Sequence, residues 1–340
     1  MKNKIVPIFF ASDKNYLPYL TVAIKSLINK ISKNYTYKIY ILTNDLKTDD
    51  ILEMNQFKSE NVTIDIVDVK PKIESIKNKV ALRDYYSVSI YFRLFIPTLF
   101  PEYDKAIYLD SDIVLNRDIA DMFNVEIGNN YLGAVLDETV FTNKDFIYYI
   151  NEALDVREKQ YFNSGVLIMN LKKFRDNDIE NDFYNWVNSY NFGTVAPDQD
   201  YLNCISKNKV KYLELGWNKM PLGENLPDEK LYLIHYNMFF KPWKYENTMY
   251  GEYFWNIAKT TSFYNIIKNK QQTYTELQRE QDRVSAQNLI KLAVNIANSN
   301  NNYKSVVLKK AKSLNKVELQ QPEEEEELFN IVEVQPKKKF

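Results

Sequence analysis

Asp104-Lys105-Ala106-Ile107-Tyr108-Leu109-Asp110-Ser111-Asp112-Ile113-Val114 sets a short apolar run against two carboxylates. Ala106 to Leu109 reads as a buried strand whose C-terminal end delivers Asp110 and Asp112 to a cleft, since open α/β sheets place ligands at the carboxyl ends of their strands. With one residue between them, both acids of an extended chain face the same way. Two carboxylates brought into a protein without a partner cost several kcal/mol, so the pattern asks for a cation. A hard divalent ion, Mg²⁺ or Mn²⁺, meets that need and can in turn hold a diphosphate. A turn or helix cap in a surface loop uses the same residue types, so the flanking chain has to decide.

Upstream, Ile5 to Phe10 reads as a first buried strand, followed by the small and polar loop Ala11-Ser12-Asp13-Lys14-Asn15-Tyr16. Such a loop suits a ligand site between a strand and a helix. Leu20 to Ile31 carries apolar residues at helical spacing, Tyr37 to Leu42 and Val62 to Val69 read as strands, and Ile51 to Phe57 as a helix between them. Strand, helix, strand, helix, strand favours a parallel sheet wound with helices. Ser87 to Phe95 is predicted helical and carries Arg93, by itself a surface or salt-bridged residue unless it faces the ligand loop.

Downstream, Tyr131 to Leu136 is another apolar strand that ends in an acid, Asp137, and neighbouring strands ending so would aim their carboxylates at one rim. Asn163-Ser164-Gly165 precedes the apolar Val166 to Met169, which places Asn163 near a strand start or turn. Asp198-Gln199-Asp200 follows Pro197 at the start of a helix, where acids are favoured by the helix dipole. Leu231 to Ile234 is a late strand running into His235, the one histidine of the chain, with Lys241-Pro242-Trp243 soon after. Two carboxylates and a neutral imidazole make a mixed ligand set suited to Mn²⁺, and a nearby lysine would neutralise remaining phosphate charge.

The 340 residues allow one large α/β domain with an appendage, or two domains. A net charge of −1 gives no global pull toward nucleic acid. A lone cysteine, Cys204, excludes an intramolecular disulfide framework and reads as a small buried hydrophobe. With only 7 glycines, neither Gly-x-Gly-x-x-Gly nor a Walker loop is present, so any nucleotide is held by another device. No apolar stretch reaches bilayer length and no cleavable leader is evident, which predicts a cytoplasmic protein. Residues 1–265 read as the core domain, 266–320 as a helical appendage and 321–340 as a disordered charged tail. Tyr274 to Asn298 is predicted as one long helix with an apolar second half. That half, Leu289 to Ala297, with the lysines from Lys304 to Lys316, suggests peripheral contact with the inner membrane face; packing on the core or oligomerisation explains it equally.

Taken in order, Phe10-Ala11-Ser12-Asp13-Lys14-Asn15-Tyr16, Tyr108-Leu109-Asp110-Ser111-Asp112, Tyr161-Phe162-Asn163-Ser164-Gly165-Val166, Asp198-Gln199-Asp200 and His235 with Lys241-Pro242-Trp243 resemble the motifs of the family 8 retaining glycosyltransferases. These include bacterial lipooligosaccharide galactosyl- and glucosyltransferases and, more distantly, glycogenin. The likeness runs over most of Ile5 to Trp255. It implies a GT-A type fold, Rossmann-like in its nucleotide half, around one mixed sheet. It implies that Asp110, Asp112 and His235 bind Mn²⁺, with Mg²⁺ the alternative, and that the loop Ala11, Ser12, Asp13, Lys14, Asn15, Tyr16, with Arg93 and Ser111, holds a UDP-sugar. Lys241 would hold the diphosphate, Asp137, Asn163 and Asp198 the sugar hydroxyls, and Gln199 would lie across the anomeric carbon from the leaving phosphate, with Asp198 and Asp200 the carboxylates open to a covalent route. The implied activity is hexosyl transfer from UDP-galactose or UDP-glucose to a glycan, glycolipid or glycoprotein. An inactive sugar-nucleotide or glycan-binding module and a self-glucosylating primer are the rival readings. Two departures stand out: Met238 occupies a usual glycine position, and Lys14 replaces a common acid.

Overall fold

A computed structural model describes residues 4–76 and 91–309. In chain order its elements begin with β1 (Lys4–Ala11), α1 (Leu17–Ile28), β2 (Tyr35–Thr43), β3 (Val62–Asp68), α2 (Lys70–Ile76) and α3 (Phe92–Leu99). The middle of the chain gives β4 (Ala106–Leu109), β5 (Ile113–Leu115), α4 (Ile119–Phe123), β6 (Leu132–Leu136), α5 (Glu138–Phe141), α6 (Lys144–Glu152) and β7 (Phe162–Met169). Then follow α7 (Leu171–Asp176), α8 (Ile179–Ser189), α9 (Pro197–Ile205), β8 (Val210–Tyr212), β9 (Leu233–His235), α10 (Gly251–Ala258), α11 (Tyr264–Gln272) and α12 (Glu276–Ala297).

The central sheet has seven strands in the order β3-β2-β1-β4-β7-β6-β8. Its first half, β3 to β4, is parallel, as the alternation of strands and helices predicts. β7 then enters antiparallel to both β4 and β6, and the sheet is mixed. Continuous burial along β4 and β7 explains why both read as apolar runs without alternation: helices cover both faces. Because β4 and β6 flank the reversed β7, their carboxyl ends share one rim, although they are not adjacent as expected.

Several local expectations shift. The segment around Ile51 is a 3-10 run, Thr48–Phe57, rather than an α-helix. Asn163 and Ser164 lie inside β7 and not ahead of it. The strand predicted at Leu231 to Ile234 becomes β9 and includes His235; it pairs with β5 in a separate two-stranded sheet. Residues 87–90 of the helix predicted around Arg93 lie outside the described residues, as does the tail from 310.

Of the two readings of the C-terminal segment, the structure shows packing on the core. α12 lies against α6, and Ala293, Ile296, Ala297, Tyr303 and Val307 join the apolar cluster that also contains Phe9, Leu94 and Tyr108. Of the apolar residues offered as a lipid-facing surface, Ala293, Ile296 and Ala297 are spent on the interior, Leu289, Ile290 and Val294 are partly buried, and Leu292 is exposed. Lys304 is paired with Glu152 at 3.1 Å, and the lysines from 310 on lie outside the described residues.

Candidate functional site

The separate β5–β9 ladder decides the geometry of the site. Ile113 is registered opposite His235, and the Asp112 carbonyl accepts the Tyr236 amide at 2.9 Å, so the imidazole lands beside the acidic pair. Ligand atoms of Asp110, Asp112 and His235 lie within 4.8 Å of one another. His235 Nε2 stands 3.2 Å from Asp112 Oδ1 and 3.8 Å from Asp110 Oδ2. The other ring nitrogen, Nδ1, meets Asn218 Oδ1 at 2.9 Å. That amide oxygen can only accept, so it selects the tautomer protonated at Nδ1 and turns the Nε2 lone pair to the carboxylates.

The donor set fits a hard divalent cation. Two carboxylates and one oriented imidazole converge on one point, and Gly165 leaves the room: a Cβ there would overlap His235 and an Asp110 oxygen. The Asp110 amide donates to the Gly165 carbonyl at 2.7 Å, so this close approach is built into the β4–β7 pair. Lys241 reaches Asp112 and donates to the Tyr236 carbonyl at 2.7 Å. Burial opposes ionisation of Asp112, but the Lys241 ammonium holds its carboxyl well below the usual carboxylate range.

On the other side stands Arg93, buried, 3.1 Å from Asp110 and 3.3 Å from Asp198. It donates to the Ser164 carbonyl and lies over the Tyr108 ring, 4.3 Å from its centroid. Burial works against its charge, yet Tyr108, Asp110 and Asp198 keep it firmly protonated. Ser164 Oγ donates to Asp198 at 2.9 Å. Burial pushes the Asp198 carboxyl up, with Arg93 opposing. Gln199 is held at both ends: Oε1 accepts from the Ser164 amide at 3.0 Å and Asn163 Nδ2 at 3.1 Å, while Nε2 donates to Asp137 at 2.9 Å and the Tyr161 hydroxyl at 3.1 Å. Asn163 Nδ2 also donates to Asp137 at 3.1 Å, and its oxygen accepts from Asn218 at 3.0 Å. One hydrogen-bonded web thus runs from His235 through Asn218, Asn163 and Gln199 to Asp137.

Residues 7–247 match the model of glycosyl transferase family 8. The chain belongs to that family. This family 8 chain is similar to a Haemophilus influenzae protein assigned by name to the glycosyltransferases, 33% identical over 224 residues covering 66% of each chain. It is also similar to the Escherichia coli lipopolysaccharide 1,2-glucosyltransferase, 24% identical, covering 76% of this chain and 79% of that one. Among solved structures, the galactosyltransferase LgtC in complex with donor and acceptor sugar analogues superposes with a TM-score of 0.62 at 26% identity, covering 76% of this chain and 96% of that one. The mixed sheet and its flanking helices are thus a GT-A arrangement. The chain spans about a third to two thirds of the length of the first curated relatives it matches, namely 66%, 32% and 62%.

Within the family 8 framework, Asp110, Asp112, His235, Lys241, Arg93, Asp198, Gln199, Asn163 and Asp137 all converge. The first loop contributes unevenly. Ser111 Oγ ties the acidic pair to the Ala11 carbonyl at 3.0 Å, and the Tyr16 ring lies 6.0 Å from the Lys241 ammonium. Asp13 caps the amides of Asn15 and Tyr16 at 2.8 and 3.1 Å. The Lys14 side chain is exposed and turns away to Asp50 at 3.0 Å. Asp200 does not enter the centre either. It is fully buried, accepts from the Tyr149 and Tyr161 hydroxyls at 2.8 and 2.7 Å and from the amides of Val195 and Ala196 at 2.9 Å, and so acts as a structural anchor. Sequence reasoning missed Asn218 and the steric role of Gly165, because only the fold brings them under the histidine.

Proposed function

We propose that this chain transfers a hexose, galactose or glucose, from its UDP ester to a hydroxyl of a glycan, glycolipid or glycoprotein, with retention at the anomeric carbon. The observation that carries this reading is the convergence of Asp110, Asp112 and oriented His235 beside buried Lys241 in a family 8 chain. Asp110, Asp112 and His235 would hold Mn²⁺, with Mg²⁺ the alternative. When bound, such an ion supplies charge neutralisation at the diphosphate.

Breaking the bond between the anomeric carbon and the phosphate oxygen leaves negative charge on UDP and positive charge on the sugar. The Lys241 ammonium, kept protonated by Asp112 despite burial, stabilises the departing diphosphate. Arg93 bridges the Asp110 and Asp198 carboxylates and offsets their mutual repulsion. Gln199 has both ends of its amide engaged and is a poor nucleophile, and Asp200 is sequestered by its four donors. Asp198, tied to Arg93 and Ser164, steadies a short-lived oxocarbenium-like sugar, and the acceptor hydroxyl enters on the face that UDP leaves, passing its proton to the departing phosphate oxygen. Asp137, Thr139, Tyr161, Asn163 and Gln199, with Met238 and Leu289, line a cleft of about 110 Å³ where the acceptor would meet the transferred sugar.

The test is UDP release from UDP-galactose and UDP-glucose, with and without Mn²⁺, on a panel of glycan acceptors, with the product anomer read by NMR. Metal-dependent release with retention supports the reading. No Mn²⁺-dependent UDP binding, an inverted product or a sugar trapped on Asp198 would each overturn its corresponding part.

A further inference from the structure

We infer that Asp282 on α12 is a positioning residue for the donor: it anchors the turn that carries Lys241. This rests on the UDP-hexose reading above, and it concerns a helix beyond residues 7–247 that the family model matches. The Lys241 carbonyl accepts the backbone amides of Lys244 and Tyr245 at 2.9 and 3.0 Å, so these residues close one turn. Asp282 takes hold of that turn from outside. Its two oxygens each lie 3.1 Å from Lys244 Nζ, and one accepts the Tyr245 hydroxyl at 3.0 Å and the Tyr274 hydroxyl at 2.8 Å. Arg279 on the same helix lies over the Tyr245 ring, 5.7 Å from its centroid. From α11, Gln271 Nε2 donates to the Pro242 carbonyl at 2.8 Å and the Tyr245 carbonyl at 3.3 Å.

The two sides of Lys241 are therefore held differently. Downstream, the backbone and side chains of the turn are gripped by the C-terminal helices. Upstream, Met238 is half exposed with a φ of 58°, and Phe240 is exposed. The Lys241 ammonium is held directly by Asp112 and the Tyr236 carbonyl, while the downstream anchor, of which Asp282 is the charged centre, places the backbone from which it reaches them. The helix itself has other attachments: Thr275 forms a capping box with Gln278 at its start, and Ala293, Ile296 and Ala297 are buried at its far end. Loss of the Asp282 charge thus releases the turn while leaving α12 docked. Leu289, about two turns further along the same face, lines the cleft beside Gln199, so one helix face spans the donor loop and the cleft proposed for the acceptor.

The experiment compares the full chain with Asp282→Asn, Asp282→Glu, Lys241→Ala and the double variant Asp282→Asn with Lys241→Ala. UDP binding with Mn²⁺ is read by calorimetry, KM for UDP-hexose and for acceptor by UDP release, and Tm by melting. Asp282→Asn is expected to raise the UDP Kd and the donor KM about fivefold or more, with acceptor KM changed less than about twofold and Tm within about 3 °C. Asp282→Glu recovers part of the loss. In the Lys241→Ala background Asp282→Asn adds less than about twofold, because both act through one ammonium. A change in Tm alone, equal effects on both KM values, or full additivity with Lys241→Ala overturns the inference. If the unaltered chain fails to bind UDP with Mn²⁺, the functional reading falls and takes this inference with it; if it binds and Asp282→Asn is neutral, only this inference falls.

Discussion

His235 illustrates how one residue depends on another that the chain places far away in sequence. Asn218 accepts the Nδ1 proton and thereby aims Nε2 at the carboxylates. Replacing Asn218 with Ala is expected to weaken Mn²⁺ binding about 10- to 100-fold, the usual effect of removing a group that orients a ligand; metal titration followed by UDP binding measures it. Met238 gives a second prediction at this scale. A side chain at φ 58° carries strain of order 1 kcal/mol, and glycine relieves it. Met238→Gly should leave the folded state as stable or slightly more so by melting, while enlarging the cleft it lines and relaxing discrimination among acceptors. An unchanged acceptor profile would show that Met238 does not gate that cleft.

α9 shows how an element is pinned so that two of its side chains work at the centre. Asn203 bonds both the amide and the carbonyl of Phe162 at 2.9 Å, stapling α9 to β7, and Asp200 holds the turn before the helix through Tyr149, Tyr161, Val195 and Ala196. Between them these anchors set Gln199 against Asn163. Burial raises the Asp200 carboxyl to about 6, its four hydrogen bonds opposing. A carboxyl raised on folding contributes stability fully below its unfolded value near pH 4, and that contribution is lost as pH climbs through about 6. Relative to Asp200→Asn, the unaltered chain should therefore lose about 2–3 kcal/mol between pH 4 and pH 6 and stay level above it. Denaturant melts of both proteins across that range read the difference, and parallel curves would contradict the assignment.

At the scale of the molecule, α12 is an integral wall rather than a detachable tail. Ala293, Ile296, Ala297, Tyr303 and Val307 complete the largest apolar cluster, and Asp282 grips the Lys241 turn. Truncation after Gln272 strips those residues away, and burial of this size corresponds to a Tm loss of about 10 °C or more, or to insoluble chain. A truncated protein that melts normally and keeps metal-dependent UDP binding would show the helix to be dispensable. The same packing explains why the apolar half of this helix invites a membrane reading from sequence: amphipathic periodicity reports a buried face and is silent on whether protein or lipid buries it.

Local chemistry was legible in the chain alone. An apolar strand ending in Asp110 and Asp112, a lone His235 at the end of another strand and a lysine soon after point to a cation and a diphosphate, because uncompensated buried charge is expensive wherever it falls. Strand and helix order followed from apolar spacing for the same local reason. Which partners complete each group was settled only in three dimensions. The β5–β9 register brings His235 to Asp112, the antiparallel β7 puts Gly165 under the pair, Asn218 selects the tautomer, and α12 reaches back to the Lys241 turn. Those contacts join residues tens to more than a hundred positions apart, and no local preference of the backbone encodes them; they exist because close packing of the folded core leaves these side chains one place to go.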